Sequence, residues 1–299
     1  MNGKKVLNRL ILLFVVLNLI LATFNVIASS RRYVVDGERL QNLYAVLEQQ
    51  NVDIESNLSI DFEPRPTINI IYEINTNNIR DGIVRSIFED NISEVLRSTE
   101  KSQNYKGFER YQFEYGGEKL SFEKYDVEYT NQNVDKTLEG VNKDIAKRHI
   151  EIFVKKIGIE DLYKNMYIEY EEANNYIKAK CYPVIESTVM DDIYISVEVY
   201  KDGISQAHFP VVRVETVENS YRDITPIDRV LFGIDAYINN MLGIQLDNIV
   251  IKDVKLVYKK QNPESYNLWG EKNIPMYKMN IGDLEKPIFV NAYTNEYVK

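Results

Sequence analysis

Cysteine is nearly missing: Cys181 is the single one in 299 residues. That excludes an internal disulfide, and it excludes thiolate zinc and iron–sulfur ligation by this chain alone. Histidine is as scarce, with only His149 and His208, which leaves little material for imidazole catalysis or metal binding. Gly (13) and Pro (8) are too few for collagen-like or Pro-rich architecture. Basic charge is in deficit: 36 Lys and Arg face 45 Asp and Glu, for a net charge of −9. Phosphate neutralisation needs an excess of cations, so nucleic acid is a poor partner for this chain. At 44% hydrophobic and 27% charged residues, a long disordered chain is excluded. The length suits one large or two small folded units.

What is present begins at the N-terminus. Lys4, Lys5 and Arg9 precede a run without charge from Leu10 to Ser30, 21 residues long, and Arg31-Arg32 follow it. As a helix the run extends roughly 32 Å, enough for a hydrocarbon core of about 30 Å. Basic residues ahead of it predict a single transmembrane helix over 10–30, with 1–9 in the cytoplasm and the body outside. The rival reading is a signal peptide, with Val26-Ile27-Ala28 fitting a small-residue cleavage rule in part and cleavage after Ala28. Either reading exports the body. Asn18, Ala22, Asn25 and Ser29 follow at i, i+4, i+7 and i+11, one helical stripe. Small residues and amides on one stripe suit packing against another membrane helix.

The body reads as α+β. Residues 31–66 form a juxtamembrane helix (36–51, with Asp36 as its cap region) and a connector ending at Pro64 and Pro66. Residues 67–220 form a first α+β region. It starts with a strand at 67–74 and a helix over 78–98. Two alternating runs, 108–115 and 119–129, are joined by Gly116-Gly117, a hairpin signal. A helix over 136–157 precedes strands at 166–171, 176–183, 192–200 and 206–216. Residues 221–299 form a C-terminal α+β region. Thr225-Pro226 opens a helix to Leu242 and Gly243, and strands follow at 249–259, 276–281 and 287–293. Helix-then-strands thus occurs twice, an αβββ-type organisation with antiparallel sheets each packed by helices.

Chemistry is thin. Nucleophile-elbow, zincin, Walker and dinucleotide-loop motifs are missing. His149 lies on the apolar side of a helix and reads as a core or boundary residue. A Cys181–His208 nucleophile pair is open on sequence alone, but a buried structural thiol fits better. Asp191-Asp192 and Asp247-Asn248 lack EF-hand spacing. Glu169, Glu171 and Glu172 read as a solvated edge. Trp269 is either an interface anchor or packed on the last sheet. The expectation is a non-enzymatic chain with no catalytic, cofactor or metal residues.

Several segments resemble the YycI family of membrane-anchored regulators. They are Val16–Leu21 in the apolar run, Arg32–Asp36 leading into the short helix, Gln50–Ile54 at its end, Pro64-Arg65-Pro66, and the closing Val290–Glu296. Asn295 stands where that family's last turn has Gly. The resemblance implies a single membrane helix, no cofactor, and association with a WalK/YycG-like sensor histidine kinase and a YycH-like protein. It implies tuning of two-component signalling of cell-wall metabolism in a Gram-positive bacterium. Self-association and hetero-association both stay open.

Overall fold

The structure is a computed structural model that describes residues 3–59, 61–73, 76–241, 243–244, 248–261 and 270–298. Within α1 (Gly3–Arg31) the described side chains are 11–25, uncharged and all exposed. Among the described residues no helix is long and apolar enough to cross a membrane. α2 (Gly37–Gln49) starts where Asp36 caps it, accepting from the Arg39 N–H at 2.8 Å. β1 (Val52–Ile54) is a strand inside what reads as a connector, and β2 (Ile68–Tyr72) alternates buried and half-buried residues.

α3 (Asn77–Phe88) stops ten residues short of the expected end. Glu89 takes φ +46°, a 3-10 turn runs Glu89–Glu94, and the chain enters β3 (Leu96–Lys101). Every residue of β3 is exposed, so no period-2 burial pattern marked it as a strand. β4 (Glu109–Tyr115), β5 (Glu118–Glu123) and β6 (Asp126–Asn131) follow. Gly116 at φ +57° and Gly117 at φ +86° close the expected two-residue hairpin, both in the left-handed region. α4 (Lys143–Lys156) begins seven residues later than expected, at the cap Asn142, which accepts from Ile145 N–H at 2.9 Å. α5 is a single turn, Glu160–Tyr163.

The next strands are β7 (Met166–Glu172), β8 (Ile177–Ile185), β9 (Thr188–Met190) and β10 (Ile195–Tyr200). The expected strand 206–216 is two, β11 (Gly203–Pro210) and β12 (Val212–Val217). Val211 divides them: its N–H donates to Tyr125 O, while its own O accepts from Glu73 N–H. The expected helix after Thr225 is broken into α6 (Ile227–Leu231), α7 (Ile234–Ala236) and a π turn over Tyr237–Met241. Its expected end at Leu242 lies outside the described residues, as do Asp247 and Trp269. β13 (Ile249–Lys260), β14 (Glu271–Ile281), β15 (Ile288–Asn291) and β16 (Tyr297–Val298) complete the chain.

The fold class is α+β with a large mixed sheet and helices. The expectation of purely antiparallel sheets needs correction. β1 runs parallel to β13 at Val52–Ile54, and β9 runs parallel to β13 at Val189–Met190. Parallel neighbours need a long crossover, and here nearly 200 and some 67 residues intervene in sequence, beyond the reach of local pattern.

Two compact units are present. One holds Pro66–Tyr221 and Leu256–Met276; the other holds Met1–Arg65, Arg222–Lys255 and Tyr277–Lys299. The segment expected as a separate C-terminal region therefore contributes to both. In the first unit β8, β10, β11, β6, β5, β4 and β3 lie side by side, each antiparallel to the next. Phe122, Phe209, Leu120 and Cys181 from its strands pack with Ile83 and Val84 of α3 and Ile150 and Phe153 of α4. In the second unit Leu43 and Leu47 of α2 are fully buried. Arg39 of α2 grips Asp228 of α6 through two nitrogens, at 3.0 and 2.7–2.8 Å, while Asp228 is 5% exposed.

Candidate functional site: an edge-strand groove and a polar cleft

A groove of about 880 Å³ opens in the first unit. One wall is α3, through Ile79, Gly82 and Ile83. A second is the α4–α5 turn, through Ile157 and Leu162, with Val184 and Ile185 of β8 beside it. The remaining wall is continuous chain: Phe209, Pro210, Val211, Val212, Arg213 and Val214 all line it. A strand that lines a cavity with consecutive residues presents its backbone edge there, because side chains alone alternate between faces. The lining is mostly apolar, with Asp161, Lys164 and the Glu73–Arg213 pair (2.7 Å) among its charges.

The backbone of that wall has a defined polarity. β12 pairs antiparallel with β2 and stands at the end of the strand order. Glu73 N–H donates to Val211 O at 2.8 Å, which sets the alternation. The Val211 carbonyl and the backbone groups of Arg213 turn to the β2 side, and Val212 and Val214 turn theirs away from it. A register shift between Val214 and Thr216 ends the regular edge.

The opposite face of the strands carries a polar cleft of two adjoining cavities, about 240 and 260 Å³, which share Tyr105, Asp126 and His208. Tyr105 donates to Asp126 Oδ2 at 2.6 Å, and His208 Nε2 lies 3.9 Å from Asp126 Oδ1. Tyr72, Tyr125 and Tyr105 meet edge to face at 5.6 and 5.9 Å. Lys260 Nζ sits 4.2 Å over the Tyr72 ring and 2.7 Å from Glu271, a pair with both side chains under 10% exposed. Burial pushes the Glu123 carboxyl up. Hydrogen bonds from Ser102 and from the Asn104 side chain and backbone, with Arg110 nearby, outweigh that and hold it below the usual carboxylate range. The cleft's charges are largely turned on one another, which suits a cross-strand brace.

The sequence-derived residues fall as follows. Cys181 is fully buried on the helix-covered face, and burial pushes its thiol up to about 12. Ala207 and Phe209 are buried in the same core, so His208 between them points to the other face, 47% exposed. Cys181 and His208 therefore form no nucleophile pair. His149 is half-buried, with Nε2 3.2 Å from Lys201 O. Asp192 is taken by the Lys259 ammonium and by the Lys260 N–H at 2.9 Å. Glu169, Glu171 and Glu172 are exposed. Asn18, Ala22 and Asn25 are exposed on α1; Ser29 is in the helix, but its side chain lies outside the described residues. The Asn18 amide donates to Phe14 O at 2.9 Å, one turn back. The groove itself was missed. Its one sequence signal is the glycine inside a helical pattern at 82, which on its own names no ligand.

No family model matches the chain, and no curated relative matches it. Solved structures do. One is a crystal structure of an uncharacterized protein from Eubacterium rectale, with TM-score 0.59 at 9% identity, covering 87% of this chain and 98% of that one. Another is the C-terminal domain of YpeB from Bacillus megaterium, with TM-score 0.38 at 12% identity, covering 76% and 97%. The first likeness speaks for the fold alone.

Proposed function

We propose that this chain is a non-enzymatic, membrane-anchored regulatory protein of YycI type. In this reading α1 crosses the membrane with its N-terminus in the cytoplasm, and the α+β body lies outside. The protein associates with a WalK/YycG-like sensor histidine kinase, together with a YycH-like protein, and tunes two-component signalling of cell-wall metabolism. The observation that carries the reading is α1 itself. It is one continuous helix of 29 residues, about 43 Å long, and every described side chain from 11 to 25 is exposed. Exposed Leu12, Leu13, Phe14 and Phe24 would be unfavourable in water and are at home in lipid or against other helices.

The stripe Asn18–Ala22–Asn25 supports helix packing. The Asn18 bond to Phe14 O uses one N–H and leaves the rest of the amide to a neighbour. The test is photo-crosslinking from positions 18 and 25 in native membranes, with mass spectrometry of the adducts. Adducts with a sensor kinase or another one-pass protein are expected. Adducts with lipid alone, or a mature chain that starts after Ala28, would refute the proposal and leave an exported binding module.

A further inference from the structure

The groove combines three features that no internal need of the chain explains. The first is the edge of β12. It lines the groove with consecutive residues, and Val212 and Val214 turn their N–H and C=O groups away from β2. Among the described residues β12 pairs with β2 only. The second is depth. The edge lies between α3 and the α4–α5 turn, so a folded partner's sheet is kept off and a single extended segment fits. The third is Gly82. It sits in mid-α3, where glycine is among the poorest helix formers, and it faces the groove. A Cβ there would meet nothing within 4 Å. Packing within the chain does not require the glycine; its effect is to keep the groove open.

We infer that the groove is a strand-addition site for an extended, apolar peptide segment of a partner polypeptide. The peptide backbone exchanges hydrogen bonds with Val212 and Val214, and its alternate side chains enter the space between Ile79, Ile83 and Leu162. The backbone edge argues for a peptide over a lipid chain, since acyl chains have no groups to match exposed N–H and C=O. The register shift after Val214 argues against a second copy, because it breaks the edge that two β12 strands would share. The inference does not depend on α1 and stands whether or not the chain is anchored.

The test uses the full chain in detergent micelles. The probe is a fluorescein-labelled peptide copying residues 67–72 (Thr-Ile-Asn-Ile-Ile-Tyr), the stretch that includes β2, β12's antiparallel partner. Saturable binding by fluorescence polarisation is expected, with slowed hydrogen exchange at the Val212 and Val214 amides. A probe N-methylated at alternate residues should bind at least tenfold more weakly. Gly82→Leu should lose binding by a similar factor while melting at or above the wild-type temperature, since leucine favours the helix. Val212→Pro removes one outward N–H and should weaken binding without Gly82 being touched. Equal binding of the N-methylated probe would mean an apolar chain site and would overturn strand addition. Unaltered binding by Gly82→Leu, or no saturable binding at all, would overturn it too. So would wild-type dimerisation that Gly82→Leu abolishes, which would make a second copy the occupant.

Discussion

The two units are built by different means. In the unit that holds Pro66–Tyr221, neighbouring strands are mostly neighbours in sequence: β3–β4, β4–β5, β5–β6 and β10–β11 are successive pairs. Its main core cluster lies between sheet and helices, and a second buried cluster gathers Ile68, Ile70, Tyr125, Met190 and Tyr258. The other unit is assembled from three separated stretches. Leu43, Leu231 and Val290, one from each stretch, are fully buried, and specific ties add to that packing: the Arg39–Asp228 clamp, Tyr277 donating to Thr225 O at 2.7 Å, Tyr293 donating to Arg65 O at 2.9 Å, and Tyr237 stacked on Tyr297. Both units bury apolar area, but in the second polar and aromatic ties join three stretches far apart in sequence. Area tolerates small losses, whereas a tie between distant stretches fails all at once.

The largest test of that contrast is Lys260→Met. It removes the ammonium 2.7 Å from the buried Glu271 carboxylate, and should cost about 3 kcal/mol in urea unfolding. Adding Glu271→Leu should restore most of it, because two apolar residues leave no charge stranded. Hydrogen exchange should show the loss of protection within residues 66–221. Arg39→Ala strands Asp228 in the other unit. It should cost about 3 kcal/mol, somewhat less if water reaches the half-exposed arginine site, and its loss of protection should fall on α2 and α6. Equal loss in both units from either variant would mean that they unfold as one, and the contrast would be wrong.

Base sharpens the same comparison. Burial, with Tyr237 nearby, raises Tyr297 from 10.0 to about 12, and burial raises Cys181 from 9.0 to about 12. Both groups hold their proton more tightly when folded. Their contribution is therefore complete below the unfolded values, about 9 for Cys181 and 10 for Tyr297, and is lost as pH rises toward 12. Thiol reagents should stay unreactive with Cys181 at pH 8 in the native chain and react on alkaline unfolding. Rapid labelling at pH 8 would show that the core is open. The smallest effect is Asn295→Gly. Asn295 holds φ +59° in the β15–β16 turn, where its N–H donates to Asn291 O at 2.8 Å. Glycine there should gain about 0.5 kcal/mol in thermal unfolding, since it carries no Cβ strain in this region.

Much of the local structure was legible in the residues. Asp36 and the Gly116-Gly117 turn announced themselves because their chemistry acts within four residues. The helix read through Ile92, Val95 and Leu96 failed because an exposed edge strand has no buried face to advertise. The alternation predicts one strand over 206–216, where Val211 instead passes the chain from one partner to another. Alternation continues across that point, and pattern alone cannot register a change of neighbour. The groove was hidden for the same reason: an edge is defined by which strand is missing beside it. The Cys181–His208 question needed the register, since the 26 residues between them say nothing about which face each takes.

The chain passes between its units after residues 65, 221, 255 and 276. This connectivity imposes a timetable on a polypeptide made from its N-terminus. The meander from β3 to β6 can close as it emerges. β2 and β9 must wait for β14 and β13, their partners at Glu271–Asn273 and Val257–Tyr258. At roughly 5–20 residues per second, more than sixty residues of delay separate β9 from those strands, on the order of several seconds. Through that interval β2 and β9 are short of partners and exposed to wrong ones. A nascent chain of this kind gains from a holding factor, and its yield should depend on one more than its final stability suggests.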